Sequence, residues 1–144
     1  MTEAEKLQRF NALQDNTLLE TLDIEFIACG DDWLKAKMPV TEKHLQPMGL
    51  LHGGATVSLA ETVGSAASWL FLEDPKKQGA VGLEIAANHV RSARLGETVF
   101  GTARILHAGR TTHVFEIRIT NEADQLISFV KMTNAVVSRA HKVH

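Results

Sequence analysis

Tyrosine is absent from this 144-residue chain and cysteine occurs once, at Cys29. The first absence removes one common general acid. The second excludes an internal disulfide and fits a reducing compartment, so the expected location is the cytoplasm. Neither sign of charge predominates: 15 Lys and Arg stand against 17 Asp and Glu, for a net charge of -2. That leaves no basic excess of the kind that general nucleic-acid or membrane-surface binding requires. Glu3, Glu5, Lys6 and Arg9 interrupt the place where a signal peptide would need its apolar segment, so none is expected. Only the run from Ala55 to Leu72 approaches transmembrane length, and Glu61 within it predicts a core helix instead. There is no G-x-S-x-G elbow, no G-x-G-x-x-G, no phosphate-binding P-loop and no H-E-x-x-H. The seven histidines are scattered without metal-ligand spacing, and neither a metal nor a redox cofactor is expected. Cys29 has no evident partner base and reads as a small buried hydrophobe.

What is present describes an ordinary globular protein, 44% hydrophobic and 22% charged, read as a single domain over residues 1–144. Thr2-Glu3-Ala4-Glu5 has the form of a capping box, with Leu7, Phe10 and Leu13 at helical spacing, and predicts a helix from Glu3 to Gln14. Thr17-Leu18-Leu19-Glu20 repeats the pattern for one more turn. Leu22, Ile24, Phe26 and Ala28 alternate as a strand, Gly30-Asp31-Asp32 turns, and Leu34, Ala36, Met38 and Val40 form the second arm of a hairpin. Pro39 and Pro47 bracket the loop into the long apolar helix. Beyond Asp74 to Gly79 come four strands: Val81–Arg94, with Val81, Leu83, Ile85 and Ala87 on one face, then Thr98–Leu106, Thr112–Thr120 and Leu126–Val137. Short connections predict antiparallel pairing of consecutive strands. A frayed tail from Ser138 to His144 is expected. One antiparallel sheet wrapping one apolar helix is the economical α+β solution. The apolar surface left over on that helix predicts at least a homodimer.

The most informative stretch runs from Gln46 through Leu51-His52-Gly53-Gly54 to Glu61. A glycine-rich turn enters an apolar helix that carries one carboxylate in its second turn. Such a carboxylate needs a partner, a raised pKa or a chemical role. Gly53 and Gly54 fall at the helix N-terminus, where free N–H groups and the helix dipole favour negative charge and glycine admits close approach. Ser65 lies one turn beyond Glu61 on the same face.

This string, with Asn88-His89-Val90-Arg91-Ser92-Ala93-Arg94 and the order of elements, resembles the hotdog-fold acyl-CoA thioesterases over Asn16 to Val137. Within them it is similar to the phenylacetate-degradation-type branch, which holds glutamate-using 4-hydroxybenzoyl-CoA and 1,4-dihydroxy-2-naphthoyl-CoA thioesterases. The resemblance implies hydrolysis of an aromatic or medium-chain acyl-CoA. Glu61 would be general base or direct nucleophile. The Gly53 N–H would be the main oxyanion donor, a role worth about 2.7–4 kcal/mol of barrier. Gln46 would orient the attacked group, His52 would position the substrate, and Ser65 would hold a water or the Glu61 carboxylate. Coenzyme A phosphates call for a basic rim, for which Arg91, Arg94 and Arg110 are candidates. His89, Gly54 and Met48 would line the substrate route. The resemblance also implies a dimer, or a dimer-of-dimers tetramer, with Glu61 facing the Gln46–Gly53 loop of the opposite subunit.

Plainer readings stand beside these. Glu61 could pair with Arg or Lys, His52 could cap the helix, Ser65 could serve close packing, and the arginines could be solvated. Rival functions are a non-catalytic acyl-CoA-binding module and a thioesterase for acyl-carrier-protein thioesters. A hydratase on the same fold would want an Asp/His pair before the helix, and none is visible.

Overall fold

The computed structural model describes residues 1–139. Helix α1 (Glu3–Asn11) is capped by Thr2, whose hydroxyl accepts from the Glu5 N–H while the Glu5 carboxylate accepts from the Thr2 N–H. It stops at Asn11, short of the expected Gln14, because the Asn11 side chain turns to β1 (Glu25–Cys29). There it donates to the Phe26 carbonyl and accepts from the Phe26 N–H, both at 2.9 Å. The outer edge of β1 is thereby engaged by a side chain, one of the ways a sheet edge is blunted. A short helix α2 (Leu18–Thr21) follows, but Thr17 makes no side-chain cap; Glu20 accepts from the Asn16 N–H instead.

Strand β1 pairs with β2 (Trp33–Pro39) as the expected hairpin. A bulge between Phe26 and Ala28 turns Cys29 inward in place of Ala28. Burial pushes the Cys29 thiol above its ordinary pKa. The remaining strands are β3 (Gln78–His89), β4 (Thr98–Ala108), β5 (Thr112–Thr120) and β6 (Leu126–Ser138). They complete a six-stranded antiparallel sheet in the order β1-β2-β4-β5-β6-β3.

The expected pairing of consecutive strands fails once. β3 does not pair with β4; it lies at the far edge, against β6. Val90 and Arg91 both donate to the Ile127 carbonyl, which ends β3 at His89 and not at the expected Arg94. The chain then crosses the end of the sheet as a strap. Ala93 is buried and accepts from the Leu51 N–H, and Gly96 and Glu97 exchange backbone bonds with Val40. The strap's backbone is thus taken up by the loop before the central helix. A second departure lies within β3, where a bulge between Gly82 and Glu84 breaks the alternation. Gly82 faces the helix, while Val81 and Leu83 are 50% and 62% exposed. Among the described residues the outer edge of β3 has no partner strand.

The sheet wraps α3 (Gly53–Ala67), which continues as a 3-10 turn over Ser68–Phe71. One face of α3 is buried: Thr56, Leu59, Ala60, Val63, Gly64 and Ala67, the spacing of a single helical stripe. The approach is close enough that a Cβ on Gly64 would stand 2.8 Å from both Ile117 Cδ1 and Met132 Sδ. This is the hotdog arrangement implied by the resemblance, with one correction. Ser58, Glu61, Thr62 and Ser65 sit two positions out of phase with the buried stripe, so α3 is not buried all round, and Glu61 is exposed.

At the C-terminal end of α3 a polar network is sealed in the core. His113 Nδ1 meets Ser68 Oγ at 3.0 Å, and Asn134 Nδ2 donates to Ser68 Oγ and to the Gly64 carbonyl. Burial, aided by nearby His107, pushes the His113 imidazole below its ordinary pKa. Of the expected tail, Ser138 ends β6; Ala140–His144 lie outside the described residues. Among the described residues no helix is long and apolar enough to cross a membrane.

Candidate active site

The loop into α3 is built by hydrogen bonding around one glycine. The Gly49 N–H donates to the Gln46 carbonyl and the Gln46 N–H to the Leu50 carbonyl, with Gly49 at φ +79°. That is the form of a short hairpin loop closed by a left-handed glycine. The Gln46 side-chain oxygen accepts from the Met48 N–H, leaving its NH2 group available to donate. Buried His44 anchors the same loop: its Nε2 contacts the Leu22 carbonyl, its Nδ1 contacts Thr41, and its carbonyl accepts from the His52 N–H.

His52 is the N-cap of α3, its Nδ1 accepting from the Gly54 N–H at 2.8 Å. The capping role raised for this residue is therefore real. It also occupies the Gly54 donor, leaving the Gly53 N–H at the head of the helix, where the first N–H groups have no intrahelical acceptor. His89 stands against it. A Cβ on Gly53 would meet His89 Nε2 at 2.9 Å, and His89 Nδ1 is held by buried Ser128 Oγ at 2.6 Å. Gln46, Gly53, Thr56, His89 and Arg91 line one cleft of about 380 Å³.

Glu61 and Ser65 line a different cleft, of about 850 Å³, between the open face of α3 and the N-terminal helices. Phe10 roofs it, 5.3 Å from the Phe26 ring and 5.7 Å from the Trp69 ring. The Glu61 carboxylate has no hydrogen-bond or ion-pair partner among the described residues. It lies over Gly82 of β3, where a Cβ would stand 2.9 Å from Glu61 Oε1 and 3.0 Å from Met132 Cε. Gly82→Ala is therefore expected to displace the carboxylate and lower kcat at least tenfold with little change in thermal stability. Steady-state kinetics and a melting curve on the same preparation check this.

The other sequence candidates are dispersed. Met48 is 82% exposed at the loop tip and lines neither cleft. Arg94 is exposed; its backbone bridges to Leu50, and its N–H donates to Glu97. Arg110 lines a small cleft with Phe71, Gln78 and His113, at the opposite end of α3 from Gly53. Sequence reading missed Gly82, Ser128 and the wall formed by α1. An isolated glycine in a strand signals a bulge or a close approach, so Gly82 was open to detection. Ser128 carries no local signal, because its role depends on a strand neighbour 39 positions away.

Comparison with known proteins accords with this geometry. The model of the thioesterase superfamily matches residues 48–128. The 1,4-dihydroxy-2-naphthoyl-CoA hydrolase of Escherichia coli is 46% identical over 131 residues, covering 91% of this chain and 94% of that protein. The proofreading thioesterase EntH of Cronobacter turicensis is 43% identical over 131 residues, 91% of this chain and 93% of that one. The crystal structure of a mutant thioesterase from Pseudomonas aeruginosa superposes with a TM-score of 0.88 at 44% identity, over 92% of this chain and 94% of that one. The chain belongs to the thioesterase superfamily. It is a thioester hydrolase of hotdog fold.

Proposed function

We propose that the substrate is an acyl-CoA with an aromatic or medium-chain acyl group, and that two copies of the chain build each active site. The observation that carries this reading is the division of the site between two clefts. Gly53 and Glu61 are eight positions apart on one helix, about 12 Å along its axis at 1.5 Å per residue. A thioester carbonyl held by the Gly53 N–H is then out of reach of the Glu61 carboxylate on the same helix. A second copy, added along the open edge of β3 with its exposed Val81 and Leu83, brings a second loop toward the open face of α3. Each Glu61 then serves a carbonyl bound by the partner's Gln46 and Gly53.

In that arrangement the Gly53 N–H stabilises the developing oxyanion, Gln46 donates its amide NH2, and Glu61 either activates water or attacks the carbonyl. Ser65 supports the water or the carboxylate. His89, oriented by Ser128, borders the thioester, and Arg91 is the guanidinium best placed for a coenzyme A phosphate. No metal or redox cofactor enters this scheme. Apolar lining around Glu61 accepts rings and alkyl chains and discriminates weakly between them. Thiol release should be measured across benzoyl-type, naphthoyl-type and medium-chain acyl-CoAs, with an acyl-carrier-protein thioester beside them. The expected result is turnover of several coenzyme A thioesters above that of the carrier-protein thioester. Binding of acyl-CoA without thiol release would favour a non-catalytic module instead.

A further inference from the structure

We propose that the cleft between α1, α2 and α3 favours acyl groups that end in a second carboxylate, received at its far end by Arg9 and Arg139. This rests on the acyl-CoA reading above and adds what the acyl group carries.

The cleft is polarised. Three of its lining residues are charged, Glu61, Arg9 and Arg139, and Phe10, Phe26, Leu13 and Trp69 stand among the apolar ones. Two separate elements bring a guanidinium into the cleft that Glu61 lines. Trp69 follows Glu61 by eight positions, about 12 Å along the helical path, and Arg9 Cζ lies 4.9 Å from the Trp69 ring centroid. On β3, Gly79 precedes Gly82 by three positions, about 10 Å of strand. Gly82 borders the Glu61 carboxylate, whereas a Cβ on Gly79 would lie 3.9 Å from Arg139 Nε. Arg139 Nε donates to the Gln78 carbonyl at 2.8 Å, which holds that arm along the strand and leaves its terminal NH2 groups free of that bond. Neither guanidinium has a carboxylate partner among the described residues.

An acyl group reacting beside Glu61 therefore runs over an apolar floor toward two guanidinium groups that have no carboxylate partner among the described residues. An extended chain advances about 3.3–3.6 Å for every three bonds, so about eight or nine bonds span the distance. A terminal methyl there offers the guanidinium groups nothing in place of the water it displaces. A terminal carboxylate accepts from both, in the charge-assisted geometry that suits arginine. Glu61 at the opposite end repels the same carboxylate, so the polarity also sets the direction of entry.

The test compares the mono-coenzyme A thioester of octanedioic acid with octanoyl-CoA, by thiol release, in the wild-type protein and the Arg9→Gln/Arg139→Gln double variant. The expected wild-type kcat/KM is tenfold or more higher for the dicarboxylic substrate, and the advantage shrinks as salt rises. In the double variant the ratio falls to about one while octanoyl-CoA turnover is retained. A wild-type ratio near one, or a preference that survives in the double variant, overturns the proposal. So does an equal loss on both substrates, which would assign the guanidinium groups to the coenzyme A phosphates. Absence of turnover on both thioesters while benzoyl-CoA is hydrolysed overturns this proposal alone; absence of turnover on all three removes the acyl-CoA reading itself, and this proposal with it.

Discussion

Glu61→Gln lowers kcat about 10³-fold or more and leaves the melting temperature almost unchanged; that pairing of outcomes is the expected result. The substitution keeps the side-chain volume and removes only the ionisable oxygen. Glu61 is exposed on the open face of α3 and bonds to nothing among the described residues, so the fold loses no contact with it. In the proposed mechanism the reaction loses the group that activates water or attacks the thioester carbonyl. General-base contributions run at about 10²–10⁴, and a nucleophile contributes at least as much; about 10³ corresponds to roughly 4 kcal/mol of barrier. Residual kcat above a tenth of wild type would remove Glu61 from the mechanism. A single turnover of wild-type protein in oxygen-18 water identifies the nucleophilic route when label enters Glu61; label in the product acid alone is common to general-base catalysis and to opening of the anhydride at its acyl carbonyl. Hydrolysis of a mixed anhydride at its glutamyl carbonyl leaves label in the Glu61 carboxylate, and general-base catalysis leaves none.

Local patterns in the sequence carried much of this molecule. The capping box at Thr2, the alternation of Leu34, Ala36 and Met38, and the turn-to-helix junction at His52 to Gly54 are settled within a few residues of each other. The chain reads there as it folds. Where reading failed, a distant partner decided the outcome. The Ala87–Arg94 run continues in pattern as a strand, but Leu51 captures Ala93 and the backbone becomes a strap that sends β3 to the opposite edge. Leu83 fits the apolar alternation of β3, yet the bulge places it outside and turns Gly82 inward. Register in a strand with one free edge is set by its single neighbour, β6, and so is invisible in β3 itself. The candidate site followed the same rule. Glu61, Ser65 and Gly53 stood out as candidates from their places on one helix, and Gln46 came from the family resemblance. Ser128 behind His89, and Arg9 and Arg139 in the cleft that Glu61 lines, are brought to the candidate site only by tertiary contacts.

The proposed sharing of each site by two chains has a second consequence, which is complementation between inactive chains. Gln46→Ala removes the amide donor from the loop, and loss of one donor aimed at a developing oxyanion costs about 10²–10³ in kcat. Glu61→Gln disables the helix half of the site. Each purified variant is then nearly inactive, because every site contains one damaged half. Co-expression of the two chains changes the count. In a mixed dimer one site combines the intact Gln46 loop of one chain with the intact Glu61 of the other, and the second site combines both lesions. Random pairing makes about half of all dimers mixed, so about a quarter of wild-type activity returns in a symmetric two-site assembly. The recovery appears in kcat with an unchanged KM, since the restored sites are wild type in every residue. It also scales with the fraction of mixed dimers when the expression ratio is varied. A site assembled within one chain allows no such recovery, because each protomer would keep its own lesion; activity no higher than the mean of the two variants would therefore place Gln46 and Glu61 in the same subunit's reaction or in separate roles. Separating the dimers by distinct affinity tags and assaying the doubly tagged fraction sharpens the measurement, since that fraction alone should carry half of wild-type activity per dimer, one working site of two.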